Sequence, residues 1–223
     1  MKRPPATATG LIRIPVGSVT LEGDLEVPDH AAGVVLFAHG SGSSRHSSRN
    51  RFVARELQVA GLATLLIDLL TRDEEALDQH TGHLRFDISL LADRLVAASR
   101  WLGEEPVTRA LDIGYFGAST GAAAALVAAT AEPERIGAVV SRGGRPDLAG
   151  RALPLVRAPT LLIVGGHDTQ VLELNRAAMA LMKAETRLDI VPGASHLFEE
   201  PGTLELVAQL ARDWFLRYLR SSE

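Results

Sequence analysis

Ser119 stands in Gly117-Ala118-Ser119-Thr120-Gly121, a Gly-x-Ser-x-Gly stretch, and two residues of complementary chemistry follow it along the chain, Asp168 in "GGHD" and His196 in "ASH". A serine hydroxyl is a weak nucleophile at neutral pH. It needs a general base to take its proton, and a histidine base needs a carboxylate to fix its tautomer and stabilise its charged form. Ser, then Asp, then His is one of the chain orders in which such a triad occurs, provided each residue closes a different strand. Every member also has a plainer reading. The serine stretch alone fits a tight strand-to-helix turn, and Asp168 fits a helix N-cap, a role compatible with being the acid. Asp68, at the end of "ATLLID", is the rival acid, or else a cap or an ion-pair partner for a loop arginine. His167 is a surface residue on this reading, because a base there would leave no acid on a following loop.

A tetrahedral intermediate also needs amide donors at its oxyanion. One is the backbone N–H of Thr120, directly after the serine. The other is sought in "AHGSGSSRHSSRN", where Ser41 N–H is the candidate and the glycines let the loop approach closely. Two arginine loops bear on substrate. Arg45 and Arg49 lie beyond the oxyanion loop, and Arg142 and Arg145 lie in "SRGGRPDL". If they converge, they form a fork for a carboxylate or phosphate, with Arg142 and Arg45 as the substrate-binding candidates. The competing expectation is surface pairing with Asp73, Glu74 and Glu75 or with Asp147. His80 and His83 have the spacing of a ligand pair but no third ligand, so no metal is assigned.

Elements must bring these residues together. Val19–Val27 alternates apolar and polar residues and, with "LIRIPV" before it, predicts an antiparallel pair. Continuously apolar runs at Val34–Ala38, Ala63–Leu70, Leu111–Phe116, Ile136–Ser141, Thr160–Gly165 and Arg187–Pro192 predict six buried strands. Helical periodicity fills the gaps, at Thr120–Thr130, Val171–Met182 and Thr203–Leu219 among others. This alternation predicts an α/β domain with a mostly parallel sheet and helices on both faces. The expected organisation is a single domain over residues 1–223, with residues 1–10 as an N-terminal tail. "TRDEEALDQHTGH" and "SRGGRPDLAGRALPLVRAP" show no clear periodicity, and both follow a strand end, where open sheets build their sites.

Composition removes several function classes. The 223 residues carry a net charge of -4 and no cysteine, which excludes thiolate metal sites, disulfides and cysteine nucleophiles. The pI near 6.0 argues against a nucleic-acid surface. Neither a signal-peptide core nor a membrane-spanning run is visible, so a cytoplasmic protein with no membrane or nucleic-acid partner is expected.

"HGSGSS", "GASTG", "GGHD" and "ASH" together resemble the α/β-hydrolase superfamily, and the compact size without a large cap domain resembles its dienelactone hydrolase branch. The resemblance spans Val19 to Leu219. It implies a three-layer fold with about eight strands, no cofactor, and the triad at Ser119, Asp168 and His196. The enzymes that name the branch carry cysteine at the elbow, where this chain has serine. That difference favours a small carboxylic ester or lactone over dienelactone itself. The expected function is therefore a serine hydrolase working through an acyl-enzyme on a small acyl substrate, anionic if the arginines face it. Thioester cleavage, acyl transfer and peptide cleavage use the same triad, and a non-catalytic binding module could keep the same fold.

Overall fold

The computed structural model describes residues 6–219. Eight strands form one sheet: β1 (Ala6–Val16), β2 (Val19–Pro28), β3 (Val34–Ala38), β4 (Ala63–Ile67), β5 (Ile113–Ala118), β6 (Ile136–Arg142), β7 (Thr160–Gly165) and β8 (Thr186–Val191). Their order across the sheet is β1-β2-β4-β3-β5-β6-β7-β8. β1 pairs antiparallel with β2, and β2 antiparallel with β4. All the other neighbours are parallel. The helices are α1 (Ser48–Val59), α2 (Arg72–Thr81), α3 (Ile88–Leu102), α4 (Thr120–Ala131), α5 (Thr169–Met179) and α6 (Thr203–Tyr218). No helix among the described residues is long and apolar enough to cross a membrane.

Side chains alternate across the strands, so the central strands β3, β4 and β5 each feed two cores. Val34, Leu36 and Ala38 of β3 join α3 and α4 on one face, through residues such as Leu95 and Leu126. Val35 and Phe37 join α1 and α6 on the other, through Leu57, Val207 and Phe215. The central strands β3, β4 and β5 are buried at every position, which explains their unbroken apolar sequences.

Three expectations differ from what is observed. Residues 1–5 of the predicted tail lie outside the described residues, but from Ala6 onward the chain is in β1 and pairs with β2 as far as Val16. "TRDEEALDQHTGH" contains α2, a charged helix whose one buried residue is Asp78, so no apolar stripe announces it. Its ends are specified chemically, by a Thr71–Glu74 capping box and by Gly82 in the left-handed conformation at φ 67°. "SRGGRPDLAGRALPLVRAP" contains a 3-10 segment, Pro146–Leu155, interrupted at Gly150.

The sheet changes direction between β3 and β5: from β3 the chain crosses to β4 on one side, and β5 lies on the other. The crevice beyond the carboxyl ends of these strands is where an open α/β sheet binds ligands. The loop after β3 and the turn carrying Ser119 both open onto it.

Candidate active site

The turn from β5 into α4 is sterically exacting. Ser119 has φ 50° and ψ -120°, a left-handed conformation rare for a residue with a side chain. Its neighbours hold it there. A Cβ on Gly117 would lie 2.4 Å from Ala122 Cα, and one on Gly121 would lie 2.3 Å from the Ala38 carbonyl oxygen. Both obstacles are backbone, so neither can move aside, and glycine is required. Thr120 opens α4, which leaves its amide unused by the helix and facing the crevice.

Asp168 sits three residues past β7 and His196 five past β8. Asp168 occupies the N-cap position of α5, but its carboxylate makes no capping bond. It accepts instead from His196 Nδ1 at 2.6 Å. The Asp168 side chain is 14% exposed and that of His196 40%. The carboxylate is thus sheltered while the imidazole faces open space, with Nδ1 carrying the proton and Nε2 left to act as a base. Gly143, at φ 50°, lets the chain pass the imidazole, since a Cβ there would be 3.1 Å from the His196 carbonyl oxygen and 3.5 Å from the ring. Glu200 secures the same loop by accepting from Ser195 N–H at 3.0 Å. That bond holds the Glu200 carboxyl below its usual range.

Ser119, His196 and Arg142 line one cavity of about 250 Å³, together with Gly40, Ser41, Arg49 and Asn50. Among the described residues Ser119 and His196 share no hydrogen bond; catalytic hydrogen bonds are commonly long or absent in unliganded sites.

The loop after β3 is pinned at both ends to the end of β4. His39 Nδ1 donates to the Gly40 carbonyl at 2.9 Å, and its Nε2 accepts Leu69 N–H at 3.0 Å. Those bonds describe a neutral ring, and burial pushes its pKa down. At the other end Asp68 accepts from both the backbone N–H and the guanidinium of Arg45. Between them, Ser41 N–H donates to Thr120 Oγ1 at 2.9 Å. The Ser41 amide is therefore not free: to meet an oxyanion it must share that proton or exchange partners.

The arginines divide. Arg142 ends β6, is 7% exposed, and lines the Ser119 cavity. Among the described residues its guanidinium donates only to the neutral Asn50 Oδ1, at 3.4 Å, its Nε has no partner, and no carboxylate pairs with it. Burial first, and then the Arg49 charge, bring its pKa down to about 10. Its guanidinium lies 5.9 Å from the ring centroid of Phe198, a residue held at φ 56°. Arg45 must be corrected. It is not among the walls of this cavity, because three carboxylates draw it away: Asp68, Glu22 at 3.0 Å and Asp24 at 3.6 Å. Arg145 pairs with Asp147 at 2.8 Å, and Arg49, at the rim, reaches Glu199 at 3.3 Å. Asp68, the rival acid, is the ion-pair partner of Arg45, more than twenty residues from it in sequence.

His39, Phe198 and Glu200 escaped the sequence reading. His39 precedes the candidate donor loop and could have been singled out by that position. Phe198 and Glu200 carry no local signal, since their roles depend on a loop whose path is set by contacts with β6.

Comparison with known proteins agrees with this fold. The profile of the dienelactone hydrolase family matches residues 21–219. A crystal structure of a dienelactone hydrolase from Anabaena variabilis is 60% identical and superimposes with a TM-score of 0.94, covering 98% of this chain and 100% of that one. A Mycobacterium tuberculosis protein provisionally named a phosphoribosyl transferase is 58% identical over 208 residues, 93% of this chain but 46% of that protein. The chain thus spans about half the length of the curated relatives it matches. Est1E from Butyrivibrio proteoclasticus, 18% identical with a TM-score of 0.77 over 93% of this chain and 98% of its own, shares the fold.

Proposed function

The chain belongs to the dienelactone hydrolase family, and from that premise we propose that it is a hydrolase, cleaving small carboxylic esters or lactones through an acyl-enzyme on Ser119. The observation that carries this reading is the sheltered Asp168 bonded at 2.6 Å to His196, whose imidazole shares a cavity with a serine at φ 50°. On this reading His196 takes the Ser119 proton as the hydroxyl attacks the acyl carbon, then returns it to the leaving alcohol. Asp168 orients the ring and balances its transient charge. The Thr120 amide, at the N-terminus of α4, receives the negative oxygen, with the Ser41 amide as second donor once it releases Thr120 Oγ1. Water then repeats the sequence on the acyl-enzyme, and no cofactor takes part.

Arg142 supports an anionic substrate. A guanidinium this buried without a carboxylate partner has desolvation to recover, and a substrate carboxylate in the cavity would supply the missing charge.

Labelling with a fluorophosphonate probe tests the reading. Wild type should be labelled and turn over simple esters, whereas Ser119→Ala should do neither. Equal labelling of the variant would point to another nucleophile, and an unlabelled wild type would favour a binding module. A panel of esters, lactones, thioesters and amides then separates the reactions that share the acyl-enzyme.

A further inference from the structure

A second cavity, of about 260 Å³, lies across the oxyanion loop from the first. Gly40, Ser41 and Ser43 line both, so that short stretch is the wall between them. The two consecutive elbow residues are divided: Ser119 opens into the Arg142 cavity and Thr120 into the second. During acyl transfer the carbonyl carbon bonds to Ser119 Oγ while its oxygen sits at the Thr120 amide. A carbonyl in that position lies against this wall, and once the Ser41 amide releases Thr120 Oγ1 its two substituents can point into different cavities.

The second cavity differs from the first in character. Leu69, Leu70 and Leu91 give it apolar wall, and its charged residues are spoken for or negative. Asp68 is held by Arg45 and Asp78 by Arg85, which leaves the Glu75 carboxylate on α2 with no spare arginine beside it. An anion would be repelled there, whereas an alkyl chain finds hydrocarbon. At the roughly 30 Å³ that a water takes in the liquid, the space suits a chain of about eight methylene-sized groups.

We propose that this second cavity is a binding site for an uncharged aliphatic group of the substrate, on the opposite side of the scissile carbonyl from the group held at Arg142. The inference rests on the ester hydrolase reading above and sharpens its substrate class: a half-ester, with a carboxylate on the acyl side and a medium-length alkyl group on the alcohol side. Burial of each further methylene should raise kcat/KM by roughly fourfold until the cavity is full.

Monomethyl and mono-octyl succinate test it directly. Wild type should prefer the octyl ester by at least about tenfold, a conservative share of the expected methylene gain. Gln79 is exposed on α2 and lines the cavity, so Gln79→Trp can fill the space without disturbing the core. That variant should lose most of the octyl preference, read as the ratio of kcat/KM for the octyl ester to that for the methyl ester. A preference unchanged in Gln79→Trp, or none in wild type, overturns the proposal. Binding of 1-octanol by calorimetry, compared between wild type and Gln79→Trp, reads the cavity without any reaction. Failure to hydrolyse either ester with octanol binding intact would sink the hydrolase reading alone, and absent octanol binding would sink the cavity.

Discussion

Arg142 shows how a single residue can oppose stability in favour of a site. Its folded pKa of about 10 lies well below the ordinary arginine range, so its charged form is disfavoured in the folded protein. The group is protonated in both states below pH 10, and there the whole penalty is present. From pH 10 up to the ordinary arginine pKa the unfolded chain holds a proton that the folded one has lost, so stability rises with pH in that window. Arg142→Met should therefore stabilise the protein at pH 7 by up to about 3 kcal/mol, read as a higher urea midpoint. Turnover should move the other way for one substrate class only. Anionic half-esters should lose about 10- to 100-fold in kcat/KM, the range of a hydrogen bond to a charged group, while neutral esters stay within about twofold. An equal loss on both would deny Arg142 its role.

The loop after β3 is an element whose stability depends on pH near neutrality. His39 is buried neutral, with Nε2 accepting from Leu69, and its folded pKa lies below the ordinary 6.5. As pH falls below about 6.5 the unfolded state binds the proton first, so stability drops, by at most about 1.4 kcal/mol per pH unit. His39→Asn should flatten that slope between pH 7 and 5 in urea melts, and a slope as steep as wild type would place the acid sensitivity elsewhere. The strand-to-helix turn gives a second test. Gly117→Ala and Gly121→Ala should each lose several kcal/mol and all activity, because their Cβ atoms would meet backbone at 2.4 and 2.3 Å. Gly10→Ala, with nothing within 4 Å, should change stability by less than about 0.5 kcal/mol. The same contrast explains what could be read in advance. The parallel strands, the elbow and the order Ser119, Asp168, His196 were legible because each depends on local pattern or on position after a strand. Neither α2 nor the full set of carboxylates around Arg45 was, although Asp68 was legible as an ion-pair partner for a loop arginine. The first is specified by caps rather than by an apolar stripe, and the second depends on Glu22 and Asp24 reaching a residue more than twenty positions away. Arg142 was legible as a candidate from its strand end, but its lack of a carboxylate is a property of packing.

At the scale of the whole molecule, the last helix is fastened beneath the sheet at the end opposite the site. A Cβ on Gly114 in β5 would lie 2.6 Å from Phe215 Cε1, one on Gly33 2.6 Å from Leu219 Cβ, and one on Gly137 in β6 2.9 Å from Leu219 Cδ2. These glycines leave room for α6 to bring Phe215, fully buried, against the strands that end at Ser119 and Arg142. The position of α6 and that of the elbow are therefore linked through β5. Phe215→Ala should cost about 3–5 kcal/mol, as for other large aromatic residues removed from a core. Gly114→Ala should also destabilise, because its methyl would overlap the Phe215 ring. If that overlap is the cause, Gly114→Ala combined with Phe215→Leu should be more stable than the sum of the two single changes, by about 1 kcal/mol or more. Urea melts of the four proteins in this cycle decide the matter: additive losses would mean that Gly114 is needed for some reason other than the ring beneath it.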